Sequence, residues 1–179
     1  MRKLVLEIDN LNDIHPGISR GIALSYHEAI RVCLDRHHTS PKDFEIDGEG
    51  DRCIAKVSWI EADEEIKRAW ANNDDATEQG AYGVALAAIM ASRNFVAVRR
   101  AETRTGADYY VAPPDMTDDL EAAYRLEVSG TDKGSLSQIR SRFQQKVEQT
   151  QKGDSNLPAI VIIVGFSVLR IMSGDVDKS

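Results

Sequence analysis

From Leu157 to Leu169 the chain carries no charged residue, and Ile and Val dominate the run before Arg170 interrupts it. A segment of this kind must be kept from water. A helix spanning a bilayer needs ~20 apolar residues, more than are present here. β-Branched side chains also suit a pleated, buried surface. Pro158–Ile171 is therefore expected to be one buried strand, the most hydrophobic of a central mixed sheet flanked by helices, which sets the fold class as α/β (α+β). No membrane attachment is expected.

The rest of the chain supplies the other layers. Arg2–Ile8 reads as a strand, and Ile18–His37 as a long amphipathic helix with Ile22, Tyr26, Ala29, Ile30, Cys33 and Leu34 at helical spacing. Ser40-Pro41 breaks that helix. Phe44–Ile46 and Cys53–Ile60 then form a hairpin across a polar turn. Two helices follow, Asp63–Ala71 and Ala76–Ser92. Asp75 or Thr77 is the expected cap of the second, and Glu78 suits its positive first turn. Its small residues, among them Gly80 and Gly83, predict close approach to the sheet. Phe95–Glu102, Ala107–Ala112 and Ala122–Ser129 read as three strands. A helix capped by Ser135 runs to Thr150, with Leu136, Ile139, Phe143 and Val147 on one face.

This divides the 179 residues into an N-terminal βαββ element over 1–61, a core over 62–172 and a frayed tail over 173–179, all in a single domain. Apolar residues make up 42% of the chain, enough for a real core. Cys33 and Cys53 lack C-x-x-C spacing and read as core thiols in a reducing compartment rather than as a disulfide. The N-terminal apolar run is too short for a signal peptide. A cytoplasmic location is expected. The formal net charge of −7 excludes nucleic-acid binding by bulk electrostatics and leaves it to a local basic patch or bridging metal ions.

Chemistry is concentrated on two strands. Side chains alternate faces along a strand, so Asp108 shares a face with Tyr110, and Glu127 with Arg125 and Ser129. Paired as neighbours, the strands can bring Asp108 and Glu127 together. Two adjacent carboxylates repel unless a proton or cation lies between them. Mg²⁺, which prefers oxygen ligands and keeps several waters, is the natural cation. Such an ion can bind a phosphate oxygen and activate water for phosphodiester cleavage.

The order of elements and the placement of these acids resemble the PD-(D/E)xK, or restriction-endonuclease-like, nuclease superfamily over Ala76–Ile171. That family has an αβββαβ core, an acid on the second core strand, an E-x-K tripeptide on the third and often a Glu on the first core helix. The resemblance implies that Asp108, Glu127 and Glu78 hold Mg²⁺ or Mn²⁺, with Glu78 supporting a water of the ion's shell. The tripeptide here is Glu127-Val128-Ser129, so the family's lysine is missing. Lys133 in the next loop and Lys146 on the next helix are the candidate replacements, and Gln138 is a further polar residue that could face the site. Arg99, Arg100 and Arg104 form the one compact basic cluster and are the candidate phosphate contacts.

The function so implied is a metal-dependent nuclease-like protein acting on nucleic-acid phosphodiesters, with Ser129 leaving room for a catalytically degenerate form. The alternative is a non-enzymatic protein-binding or self-assembly module on the same fold, working through the N-terminal unit or a free sheet edge. Simpler roles exist for each residue. Asp108 can bond backbone N–H groups near a turn, Glu127 can pair with Arg125, Arg99 or Arg104, and Glu78 can simply favour its helix terminus. His37-His38 fits a helix C-terminus better than a metal site. Trp59 and Trp70 read as core or interface anchors. Asp115, Asp118, Asp119 and Glu121 read as a solvated acidic loop.

Overall fold

The computed structural model describes residues 1–177, and Lys178 and Ser179 of the expected tail lie outside the described residues. The fold is mixed α/β: eight strands in one mixed sheet, with five α-helices among the described residues. In chain order these are β1 (Arg2–Val5), α1 (Leu11–Ile14), α2 (Arg20–Asp35), β2 (Lys42–Asp47), β3 (Arg52–Val57), α3 (Glu64–Ala69) and α4 (Asn73–Arg93). Then follow β4 (Val96–Arg100), β5 (Tyr109–Ala112), β6 (Tyr124–Thr131), α5 (Leu136–Gln151), β7 (Ala159–Gly165) and β8 (Arg170–Val176). No described helix is long and apolar enough to cross a membrane.

Strand order across the sheet is β1-β3-β2-β8-β7-β6-β5-β4. β4, β5 and β6 form an antiparallel meander, and β7 adds to β6 in parallel after the α5 crossover. The uncharged run does supply a strand buried along its whole length, β7. Ile160, Ile162 and Val164 point into the larger core, while Val161 and Ile163 meet Ile139, with Phe143 and Val147 packed alongside. The period of two along β7 thus serves two layers: α5 on one face, α2 and α4 on the other.

The run is not a single strand, however. It turns at Phe166–Leu169, and β8 returns antiparallel to β7. Phe166 is fully buried and Leu169, at φ 50°, packs against the core, so these two apolar turn residues serve the core, whereas Val168 is exposed. Residues 173–176, expected to fray, are the end of β8. Through β8 the sheet continues into the N-terminal unit, since β2 pairs with β8 in parallel over Glu45–Asp47.

Helix ends follow side-chain chemistry. Ser19 caps α2 by accepting from Ile22 N. The cap of α4 is Asn72, earlier than Asp75 or Thr77, because its side chain can accept from both Asp74 N and Asp75 N. Ser135 and Gln138 form a capping box on α5. The small residues of α4 allow close approach on two sides, to the sheet as expected and also to α2. A Cβ on Gly83 would lie 2.6 Å from Ile30 Cδ1 and 3.0 Å from Tyr26 Cβ, so this close approach is to α2. The sheet meets α4 closely through its own glycine: a Cβ on Gly130 would fall 2.7 Å from Ala81 Cβ. Cys33 and Cys53 are free and buried.

Candidate functional site

Before β5 begins, β6 already runs alongside unpaired, and its backbone groups beyond Leu126 need partners. Asp108 supplies them. It sits just ahead of β5 rather than on it, its N–H donates to Leu126 O at 2.8 Å, and one carboxylate oxygen accepts from Val128 N at 2.8 Å. Asp108 therefore brackets Glu127. The two carboxylates are close enough that Asp108 raises the pKa of Glu127. Burial is the larger cause of that rise, and Lys146 opposes both.

Lys146 reaches this point from α5, with Nζ 2.6 Å from Glu127 Oε1. One turn earlier, Arg142 donates through Nη1 to Gly130 O at 2.6 Å and to Ser129 Oγ at 3.3 Å. Residues four apart share a helix face, so α5 turns two cations toward the end of β6.

The opposite wall comes from α4. Tyr82, one turn after Glu78, donates from its hydroxyl toward Asp108 Oδ1 at 3.0 Å and Glu78 Oε1 at 3.2 Å. Arg100 on β4 donates to the same hydroxyl at 3.3 Å and stands 3.9 Å from Asp108. Its guanidinium lies over the rings of Tyr82 and Tyr109, 4.7 and 4.9 Å from their centroids. Burial, and secondarily the Asp108 charge, lift the Tyr82 pKa, while Arg100 pulls it down. The hydroxyl keeps its proton. It has only one hydrogen to give, so it cannot fully satisfy both carboxylates.

These side chains enclose a cavity of about 380 Å³, lined among others by Glu78, Tyr82, Asp108, Glu127, Arg142 and Lys146. Of the expected site residues, Glu78, Asp108, Glu127 and Lys146 are thus brought together, with Arg100 at the edge through Tyr82. The others stand apart. Lys133 and Gln138 line a neighbouring groove, and Gln138 Oε1 also accepts from Ser135 N at 2.8 Å in the capping box. Arg99 is exposed and pairs with Glu102 at 2.5 Å, and Arg104 sits in an exposed turn at φ 76°. Neither lines the cavity. The cation on Glu127 is Lys146, not the Arg125, Arg99 or Arg104 suggested by strand neighbours. Arg125 is buried and donates to Leu157 O and Thr105 O.

Sequence reasoning misses Tyr82 and Arg142. The available signal is spacing: Glu78/Tyr82 and Arg142/Lys146 are each i, i+4 pairs. His37 has an acid partner that sequence distance hides, since its Nε2 hydrogen-bonds Asp132 Oδ1 at 2.7 Å. Among the described residues, no group of three or more His, Cys, Asp or Glu is placed to hold a metal ion. The carboxylates that line the cavity are Asp74, Glu78, Asp108 and Glu127. No known protein family matches the chain, and neither do any curated proteins or solved structures.

Proposed function

We propose that this cavity is a metal-dependent phosphodiester-hydrolysing site of the PD-(D/E)xK kind, acting on nucleic acid, with Lys146 in the role of the lysine absent at Ser129. One observation carries the reading: Lys146 Nζ stands 2.6 Å from Glu127 Oε1, in a cavity shared with Asp108 and Glu78. The element order from α4 to β7 supports it, being helix, three strands, helix, strand.

The donor chemistry suits Mg²⁺ or Mn²⁺. Mg²⁺ is commonly held by one or two carboxylates plus substrate phosphate and water, and Asp108 and Glu127 provide that number. The single hydrogen of Tyr82, shared between Glu78 and Asp108, leaves carboxylate oxygens free for a cation to meet. A divalent ion there would polarise a phosphoryl oxygen and lower the pKa of the attacking water.

The chain's own residues do the rest. Lys146 favours the charged form of Glu127 against burial and the Asp108 charge, and its ammonium can donate to the attacking water or to a phosphoryl oxygen. Val128 N and the Tyr82 hydroxyl fix the Asp108 carboxylate. Arg142 can meet an adjacent phosphate with its remaining N–H groups.

A second reading has its own observation. Lys146 and Arg100 already offset the charges of Glu127 and Asp108, as in a site that has lost its metal and serves a protein-binding or self-assembling module. Thermal melting with Mg²⁺ or Mn²⁺, together with cleavage of single-stranded DNA, duplex DNA and RNA, separates the two. The nuclease reading expects saturable stabilisation by the metal and cleavage, both abolished in Asp108→Ala and Glu127→Ala. Lys146→Met should retain the stabilisation but lose cleavage by about 100-fold or more. Ser129→Lys added to Lys146→Met should restore part of it. A wild-type protein with neither metal response nor cleavage would leave the binding module.

A further inference from the structure

Beside the acid cavity is a second concavity, of about 450 Å³, and Arg142 lines both. Its walls are the loop after β6 and two turns of α5. Lys133 and Arg142 give it positive charge, and Ser137, Ser141 and Gln145 add neutral donors. Among the described residues, no Asp or Glu lines it. In a chain with 29 acidic and 22 basic residues, an acid-free concavity of this size next to an acidic site is a distinct electrostatic feature.

Its cations are available. Among the described residues, no ion pair engages Lys133 or Arg142. Arg142 is held in place through Nη1 alone, by Gly130 O and Ser129 Oγ. A guanidinium has five N–H donors, so the rest of its fork is free while its position is already fixed. Lys, Arg, Ser and Gln side chains are the usual donors to phosphate oxygens, and they fix the register of a strand without reading its sequence.

We propose that this groove binds the sugar-phosphate backbone of the substrate strand to one side of the scissile phosphate, with Arg142 bridging groove and cavity. The inference rests on the nuclease reading of the adjacent cavity and extends it with a named path for the strand. It also answers how a chain of net charge −7 engages nucleic acid: through a local lane in which a few basic and neutral donors set the affinity.

The test is fluorescence anisotropy with labelled single-stranded and duplex oligonucleotides in EDTA, over a series of NaCl concentrations. Wild type is compared with Lys133→Glu, Gln145→Glu and the double variant, all exposed positions whose melting temperatures serve as folding controls. The double variant should bind about tenfold or more weakly near 0.1 M salt, and its log–log salt slope should be shallower by about one for each phosphate no longer engaged. Unchanged affinity and slope would overturn the proposal. So would complete displacement of the oligonucleotide by inorganic phosphate at an equal phosphate concentration, which would make the groove a free-phosphate site.

The two readings fail differently. Metal-dependent cleavage abolished in Asp108→Asn, with binding and KM unchanged in the double variant, would sink the groove alone. Binding abolished in the double variant, with no cleavage by wild type, would sink the hydrolytic reading and keep the groove. Absence of any binding by wild type would sink both.

Discussion

Glu127 is held between opposing influences. Burial and the Asp108 carboxylate favour its protonated form, and Lys146 favours the charged form. The balance between Lys146 and a competing cation is what a hydrolytic site would use. A second titrating residue bears on stability. His15 is fully buried, with Nδ1 accepting from Ala97 N at 2.9 Å, and burial pulls its pKa down from 6.5 to about 4. Between these values the unfolded chain binds more protons than the folded one, so stability rises with pH. The folded state should therefore lose up to about 3 kcal/mol as pH falls from 6.5 toward 4 on account of this residue. Urea titrations across that window should show a shallower pH dependence in His15→Gln than in wild type, whatever the variant costs at neutral pH. Asp108 and Glu127 can be found in the sequence because neighbouring strands converge on them. Lys146 can be found because it follows on the next helix. Tyr82 cannot, because an aromatic residue among Gly and Ala in a helix reads as core, and its hydroxyl gains meaning only when β4 and β5 arrive beside it. Lys133 is legible as a free cation, but loop geometry carries it into the groove rather than onto Glu127.

At the scale of elements, α4 is the wall on which the site is built, and its glycines set how close α2 can come. Ala favours a helix interior by about 1 kcal/mol over Gly, but at Gly83 the added methyl would press on Tyr26 Cβ and Ile30. Overpacking of this kind costs about 1–3 kcal/mol. Gly83→Ala is accordingly expected to lower stability by about 1 kcal/mol, read as a fall in melting temperature, despite the better propensity. Gly21 is the internal control: it lies in α2 with nothing within 4 Å of an added Cβ, and Gly21→Ala should not destabilise. Strands with clear alternation or apolar runs are legible. β8 is not, because its Met172-Ser173-Gly174-Asp175 stretch is polar and glycine-containing, and the turn before it carries only Ser167 among Phe166, Val168 and Leu169. Phe166 and Leu169 obey the core rather than local turn chemistry.

At the scale of the whole molecule, the N-terminal unit is continuous with the rest. β2 pairs with β8, Arg170 bonds Glu45 at 2.5 Å and Asp47 at 3.2 Å, and α2 lies against α4. Phe44 and Ile46 belong to the same buried cluster as Val84, Leu126 and Ile160. A chain starting at residue 62 would thus expose one face of α4 and the β8 edge. It should show no cooperative urea transition and poor amide dispersion by NMR, where the full chain shows both. In sequence the first 61 residues look like an addition because strand order is not local information; the pairing of β2 with β8 reveals the seam.

That seam also bears on synthesis. β8 is made after the other seven strands but occupies a place between β2 and β7, so the sheet cannot close until Val176 is clear of the ribosome. Until then β2 and β7 each present an unpaired edge, and β7 is the most apolar strand of all. A nascent chain of this protein holds its stickiest surface open from the moment β7 emerges until β8 follows it.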